Sequence, residues 1–231
     1  MNKKIVTFGE ILFRLSKENH YRLTQGHVFN GDYGGSEANV AVSLAVMNDE
    51  VEYVTRVPDN AIGRAALMHL REFGLNVSHV VYGGDRLGSY FFEPAAAMRN
   101  SMVVYDRANS SFFTLKHGDI DWQPIFQNAM LFHCSGITCA MSKDALDTTF
   151  DALETAKSMR LHVTSTIAPI YGIMRGQMRQ KPSINSWNTA ALSLVIRTNG
   201  KSEVDSNTFL LKHKMLTMRL TKLPISTIFT N

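Results

Sequence analysis

The sequence has few cysteines and no long apolar run, and each shortage excludes a class of protein. Its two cysteines, Cys134 and Cys139, match the spacing of no common zinc or redox motif, so we expect free, buried thiols. No apolar run approaches the roughly 18 residues that a membrane-spanning helix needs. Only a short apolar segment follows the first lysines, so no signal peptide is predicted. These shortages favour a cytoplasmic protein.

The composition is that of a globular protein with an uneven charge. The 231 residues are 45% hydrophobic and 19% charged, which suits one large α/β domain or two small ones. Residues 165–231 hold nine Lys or Arg against only Glu203 and Asp205, whereas the preceding residues are net acidic. A basic tail can bind nucleic acid or a membrane, but this tail has no motif that interleaves aromatic and basic residues. We therefore predict neither partner.

Strand-like and helix-like segments alternate along the chain. Apolar and β-branched runs predict strands, and apolar residues at helical spacing predict helices. The strands are predicted at 4–8, 51–57, 77–81, 129–136 and 161–164, and the helices at 37–47, 64–73, 119–128 and 144–159. This order predicts an α/β fold with a doubly wound parallel sheet, whose ligands bind beyond the carboxyl ends of its strands. Three polar segments follow predicted strands there: Gly9-Glu10, 33–39 and the loop 135–138.

Two further β segments do not fit the alternation. Residues 11–33 and 88–107 read as short strands, and 88–107 has the pattern of a hairpin. We expect them to form a small appended sheet, a β lid that covers a ligand.

The glycine pair Gly34-Gly35 stands directly before a predicted helix. Adjacent glycines let main-chain N–H groups approach a ligand at a helix start. The same pair is also common in ordinary turns, so by itself it leaves both readings open.

Five segments in this order resemble the ribokinase-like (PfkB) carbohydrate kinases, and in particular the 2-keto-3-deoxygluconate kinases. They are Gly9-Glu10, the run from Gly34 to Ala41, the run from Arg56 to Gly63, Tyr105-Asp106-Arg107-Ala108, and the run from Phe132 to Thr138. Pro58 stands where the family pattern G-x-D-x-x-G has its first glycine. The resemblance covers residues 1–164, which we interpret as the N-terminal part of a sugar-kinase domain.

The resemblance implies a fold, a reaction and a substrate site. The fold is a doubly wound sheet with helices on both faces and a small β lid. The reaction is ATP-dependent phosphorylation of a small-molecule sugar acid with Mg²⁺, by a phosphotransferase that converts 2-keto-3-deoxygluconate to its 6-phosphate. Carried over by position, Gly34 and Gly35 offer main-chain contacts to the sugar, Asn39 holds the turn or a hydroxyl, and Tyr90 and Tyr105 contribute hydroxyls.

Arg107 is implied to bind the substrate carboxylate, because a guanidinium matches a carboxylate and stays charged. On this view a neutral sugar would leave Arg107 unpaired. Each implied role has an ordinary alternative: Tyr90 and Tyr105 as half-buried aromatics, Arg107 as a surface residue, His133 as a core histidine. Arg14 is a weaker candidate for contact with the sugar. The carboxylates Asp119 and Asp121 read as the solvated start of a helix.

The expected catalytic motifs are missing from residues 165–231. The family's D-x-N-x-R strand, its N-x-x-E segment and its G-A-G-D motif, which carries the base and the anion hole, do not occur there. No catalytic, ATP-binding or metal-binding residue is therefore assigned, and we expect this truncated chain to have little or no turnover.

A change of reading frame near Thr164, in the gene or in the reported sequence, is our hypothesis for the missing motifs. Codons for residues 165–200 can be chosen so that a shifted frame encodes peptides that resemble the family's D-x-N-x-R strand and its N-x-x-E segment. The basic tail would then be out of frame, and the sheet would be incomplete.

Two alternatives to this function stay open. One is a kinase for another substrate, fructose or a nucleoside. The other is a non-catalytic remnant that binds the sugar or dimerises. As a partner of the chain we expect a second copy, in a homo-oligomer that forms through the lid.

Overall fold

The structure is a computed structural model that describes residues 4–166; the predicted basic tail lies outside this range beyond Thr166. The elements alternate much as the sequence predicts. The strands are β1 (Lys4–Phe8), β2 (Leu12–Ser16), β3 (Asn30–Gly34), β4 (Val51–Val54), β5 (Arg56–Val57), β6 (Val81–Tyr82), β7 (Ser89–Glu93), β8 (Met102–Asp106), β9 (Ala129–Ser135) and β10 (His162–Thr166). The helices are α1 (Ser36–Val46), α2 (Ala61–Glu72), α3 (Trp122–Ile125), α4 (Gly136–Met141) and α5 (Lys143–Ser158).

A parallel sheet in the order β10-β9-β1-β4 forms the centre of the fold. Alternate residues of β1 point to opposite faces, as strand geometry requires. Val6 and Phe8 pack into a cluster with α5 and the residues around Trp122, whereas Ile5 packs into a second cluster with α1 and α2. A sheet buried on both faces confirms the predicted doubly wound α/β fold with helices on both sides.

A second, mixed sheet has the order β3-β2-β7-β8. The pairs β2–β3 and β7–β8 are antiparallel, and β2–β7 is parallel. The small β sheet of the predicted fold is therefore present, and β7 and β8 form the expected hairpin. We call this second sheet the lid sheet. Its outermost strand, β8, is exposed along its length.

Three sequence predictions about single elements were wrong. The predicted helix 119–128 is only the single turn Trp122–Ile125, because Asp119 pairs with Arg56 and accepts the main-chain N–H of Lys116. The predicted loop 135–138 begins a short helix at Gly136. The predicted strand 77–81 is displaced: Asn76 bridges β4, and only Val81–Tyr82 forms a strand.

Capping residues close in sequence account for the ends of α2 and α3. Asn60 caps α2, since its side chain accepts the N–H groups of Ile62 and Gly63, and Gly74 follows the helix with a φ of +83°. Asp121 likewise caps α3 through the N–H of Gln123. Among the helices of residues 4–166, none is long and apolar enough to cross a membrane.

Candidate functional site

The carboxyl end of β1 meets the start of α1 at two tightly packed glycines. A Cβ on Gly9 would overlap the Glu37 side chain, and a Cβ on Gly35 would overlap the main-chain oxygen of Glu10. Both positions therefore require glycine for close approach of two chain segments. This packing brings Glu10, which follows β1, against the first turn of α1. The site is thus built at the edge of the sheet where ligands of such folds bind.

Gly34, Asn39 and Tyr90 lie close together beside this crossing. A Cβ on Gly34 would lie 3.1 Å from the Tyr90 hydroxyl and 3.7 Å from the Asn39 side-chain oxygen. Asn39 is exposed on the first turns of α1. The missing side chain at Gly34 therefore leaves room between the lid sheet and α1 for polar groups to face a ligand.

One transverse row of the lid sheet carries polar and aromatic side chains. Strand register places Asp32, Arg14, Tyr90 and Tyr105 side by side across β3, β2, β7 and β8. An Arg14 Nη2 lies 2.5 Å from Asp32 Oδ2, and the rings of Tyr90 and Tyr105 have centroids 5.7 Å apart. Since the period of a strand is two, these side chains share one face, the face that Gly34 also occupies.

The two tyrosines of this row differ in their surroundings. Burial raises the pKa of the Tyr90 hydroxyl, while the charge and hydrogen bond of Arg14 act in the opposite direction. Tyr105 is 60% exposed, and the Arg107 guanidinium lies 5.6 Å from its ring centroid. The raised pKa keeps the Tyr90 hydroxyl neutral at pH 7. A tyrosine hydroxyl can donate a hydrogen bond to a sugar hydroxyl or accept one from it.

Arg107 is bound to a buried carboxylate. Its Nε lies 2.7 Å and its Nη2 2.6 Å from Glu10 Oε2, and the Ser110 hydroxyl donates to Glu10 Oε1 at 2.6 Å. Glu10 is only 3% exposed. Burial raises the pKa of Glu10, and Arg107 and Ser110 oppose that rise. The expectation that a neutral sugar leaves Arg107 unpaired was wrong, because Glu10 supplies a partner from the core of the fold.

A second buried carboxylate, Glu37, lies at the start of α1. The Thr138 hydroxyl donates to its Oε1 at 2.5 Å, so the start of α4 is tied to the start of α1. Burial raises the pKa of Glu37, and its hydrogen bonds oppose this. Beneath it, the Tyr53 hydroxyl donates to the Gly9 carbonyl at 2.9 Å. The base of the site is therefore a hydrogen-bonded polar layer.

His133 lies within β9 and is 6% exposed. Its Nδ1 lies 2.9 Å from the Thr164 hydroxyl, and burial lowers its pKa to about 4. The imidazole is therefore neutral at pH 7. This environment is that of a histidine packed in the sheet.

The structure brings the predicted residues together unevenly. Gly34, Asn39 and Tyr90 converge, Tyr105 lies next to Tyr90, and Gly35 packs on the main chain of Glu10. The sequence placed Glu10 at the ligand edge of the sheet without giving its side chain a role, and it did not single out Asp32. The position of Glu10 directly after a buried strand was the signal for its place at this edge, whereas its pairing with Arg107 appears only in the structure.

The described residues do not fit a metal ion. In residues 4–166 no group of three or more His, Cys, Asp or Glu side chains could hold one. The motifs expected to hold ATP and Mg²⁺ are also missing from the sequence after residue 164. The described residues therefore supply no metal-assisted step of phosphoryl transfer.

Known proteins resemble the chain in sequence. The 2-dehydro-3-deoxygalactonokinase of Haloferax volcanii is 32% identical over 68% of this chain and 49% of its own length. The 2-dehydro-3-deoxygluconokinase of Thermoproteus tenax is 30% identical over 61% of this chain and 44% of its own length. The chain thus spans about half the length of the curated relatives that it matches.

A solved structure and a family comparison agree with these matches. The crystal structure of 2-dehydro-3-deoxygluconokinase from Thermotoga maritima is 40% identical, with a TM-score of 0.71 over 76% of this chain and 57% of that one. The sequence model of the pfkB family carbohydrate kinases matches residues 2–214, which is most of the chain. The chain therefore belongs to the pfkB family of carbohydrate kinases.

Proposed function

We propose that this chain carries the substrate-binding part of an ATP-dependent kinase for a keto-deoxy sugar acid. The proposed substrate is 2-keto-3-deoxygluconate, and the product of the family reaction is its 6-phosphate. The observation that carries the proposal is the single lid-sheet face on which Gly34, Tyr90, Tyr105 and the nearby Arg107 gather. The relatives' names support it, since both curated relatives and the similar solved structure are named as kinases of such sugar acids.

The chemistry of this face suits a sugar acid. Arg107 uses its Nε and Nη2 on Glu10, and no hydrogen bond from its Nη1 is found among the described residues. Nη1 can therefore donate a charge-assisted hydrogen bond to a substrate carboxylate. The hydroxyls of Tyr90 and Tyr105 suit sugar hydroxyls, and Asn39 offers both a donor and an acceptor.

The proposed site recognises the sugar acid but lacks the reacting groups. Phosphoryl transfer needs ATP, a metal and a base for the attacking hydroxyl. Residues 4–166 hold no group of three or more metal-ligating side chains, and the family's motif that carries the base does not occur in the sequence after residue 164. We therefore expect the chain to bind the sugar acid with little or no turnover. A sugar-acid-binding protein without catalysis is the second candidate, favoured by the absence of the G-A-G-D motif from the sequence.

We also propose that the lid sheet joins two copies of the chain. Strand β8 is the outer strand of the lid sheet, and its Met102, Val103 and Val104 are 46%, 40% and 46% exposed. An exposed apolar edge strand is a template for pairing with another strand. The partner that we propose for this edge is the same strand of a second copy of the chain.

Calorimetric titration of the full chain tests the proposed substrate. The proposal predicts binding of 2-keto-3-deoxygluconate that Arg107→Ala weakens at least tenfold, because a hydrogen bond to a charged group contributes about 1.5–3 kcal/mol. Arg64→Ala is the matched control, since Arg64 is an exposed arginine on α2 that pairs with Asp59. Tighter binding of fructose or a nucleoside than of the sugar acid would contradict the proposal.

A kinase assay with ATP, Mg²⁺ and the same sugar acid tests the expected lack of turnover. Robust phosphorylation by the purified chain would refute that expectation and place catalytic groups in the chain that the motifs do not reveal.

A further inference from the structure

The Arg107 guanidinium, which faces the proposed ligand, already binds the carboxylate of Glu10. Arg107 Nε and Nη2 both contact Glu10 Oε2, at 2.7 and 2.6 Å. The pair connects two parts of the fold, since Glu10 follows β1 of the parallel sheet and Arg107 follows β8 of the lid sheet. A ligand carboxylate on Nη1 would occupy the other end of the same planar group. The ligand and Glu10 would then hold one cation between two anions.

The surroundings of Glu10 leave little to compensate a second negative charge. Three ionisable groups act on it or are acted on by it: Arg107 after β8, Glu37 from α1 and Tyr53 from β4. Of these only Arg107 is cationic, and Glu37 is another buried carboxyl. Ser110 donates the remaining hydrogen bond. Glu10 itself is 3% exposed, so solvent screens the new charge poorly.

We propose that Glu10 competes with the ligand carboxylate for Arg107 and thereby couples the binding of an acidic ligand to the uptake of one proton by Glu10. The inference rests on the proposed sugar-acid site. The proton comes from solvent and forms an O–H bond on the Glu10 carboxylate, and no other bond changes. A neutral ligand of the same shape binds without this proton. Glu10 is therefore a residue that sets the preference between acidic and neutral ligands, acting through Arg107.

The direction of the coupling follows from the charges. Burial already raises the pKa of Glu10 in the free protein, and Arg107 holds it down. A ligand carboxylate on the same guanidinium adds a like charge within the roughly 4–6 Å over which charges shift a pKa, so the pKa rises further. Glu10 therefore takes up a proton on binding at pH values between its pKa in the free protein and its pKa in the complex. As the pH rises through this window, the affinity for the acid should fall by about tenfold for each pH unit.

Titration calorimetry in buffers of different ionisation enthalpy measures the proton directly. With the full chain and 2-keto-3-deoxygluconate we expect uptake of a fraction of a proton, up to about one, at a pH within this window. The methyl ester of the acid should show none. Glu10→Gln keeps the size of the side chain and can still bond Ser110, and it should abolish the uptake and the pH dependence of affinity. Its affinity for the acid at high pH should exceed that of the unaltered chain.

A matched variant separates this role from a structural one. Glu93→Gln also removes a buried lid carboxylate paired with an arginine, but its partner is Arg99. It should leave the proton uptake unchanged. Binding that depends on Arg107 but takes up no proton, or uptake that persists in Glu10→Gln, would overturn this inference and leave the proposed function standing. Failure of the chain to bind the sugar acid at any pH would overturn both.

Discussion

Removal of the Arg107 side chain should destabilise the protein in a pH-dependent way. Arg107→Ala leaves Glu10, 3% exposed, without its cation. Breaking one partner of a buried pair costs about 3–5 kcal/mol. The Arg107 side chain is itself 19% exposed, so water can reach the gap, and we expect about 3 kcal/mol, the lower end of that range. For a chain of this size the loss lowers the midpoint of thermal unfolding by about 6–12 °C.

The sign of the pH dependence follows from the raised pKa of Glu10. Without Arg107 the main influence that lowers this pKa is gone, so the folded-state pKa rises further. A carboxyl whose pKa is higher in the folded than in the unfolded state costs stability once the pH exceeds the unfolded value. The loss caused by Arg107→Ala should therefore be larger at pH 8 than at pH 5.

Thermal and urea unfolding at pH 5 and pH 8 measure this effect. Adding Glu10→Gln to Arg107→Ala should restore much of the stability at pH 8, because the buried group is then neutral. Arg64→Ala, which breaks an exposed pair with Asp59, should cost at most about 1 kcal/mol. An equal loss at both pH values, or no recovery in the double variant, would refute the argument that the buried charge is the cause.

Three further outcomes are expected. Burial lowers the pKa of His133 to about 4, so its titration by NMR should lie well below the ordinary histidine value. The free energy of unfolding should fall as the pH drops below about 6.5, by about 3 kcal/mol near pH 4, because the unfolded chain then binds the proton that the folded chain excludes. A normal histidine titration would contradict the burial of this side chain. Val104→Lys on the exposed lid edge should shift a dimer to monomer in light scattering, and an unchanged mass would exclude pairing through β8. Sequencing of the coding DNA across codons 155–175 should reveal a shifted frame, and an intact frame with unrelated codons would end that hypothesis.

The sequence predicted those features that short-range patterns encode. The buried strand at β1, the amphipathic helix at α2 and the glycine after it were legible because hydrophobic spacing and capping are local. The two halves of the lid sheet were also visible as strand-like runs. Their pairing depends on register between distant segments, and the row from Asp32 to Tyr105 emerges only in the structure.

The missed features arise from contacts between residues far apart in the chain. Glu10 and Arg107 are separated by 97 positions, and Thr138 and Glu37 by 101. No local pattern signals such pairs. The predicted helix around Trp122 failed for a similar reason, since the Asp119 side chain is occupied by Arg56, 63 positions away. The glycines were recognised as a motif, but the side chains and main chain that exclude a Cβ from them were not.

A crystal structure of the chain with bound 2-keto-3-deoxygluconate would show whether Arg107 holds the sugar acid. We expect the sugar-acid carboxylate within hydrogen-bonding distance of Arg107 Nη1, with sugar hydroxyls facing Tyr90 and the main chain at Gly34. Glu10 should remain on the opposite side of the guanidinium. A sugar acid bound away from the lid sheet, or with its carboxylate turned away from Arg107, would contradict the proposed site.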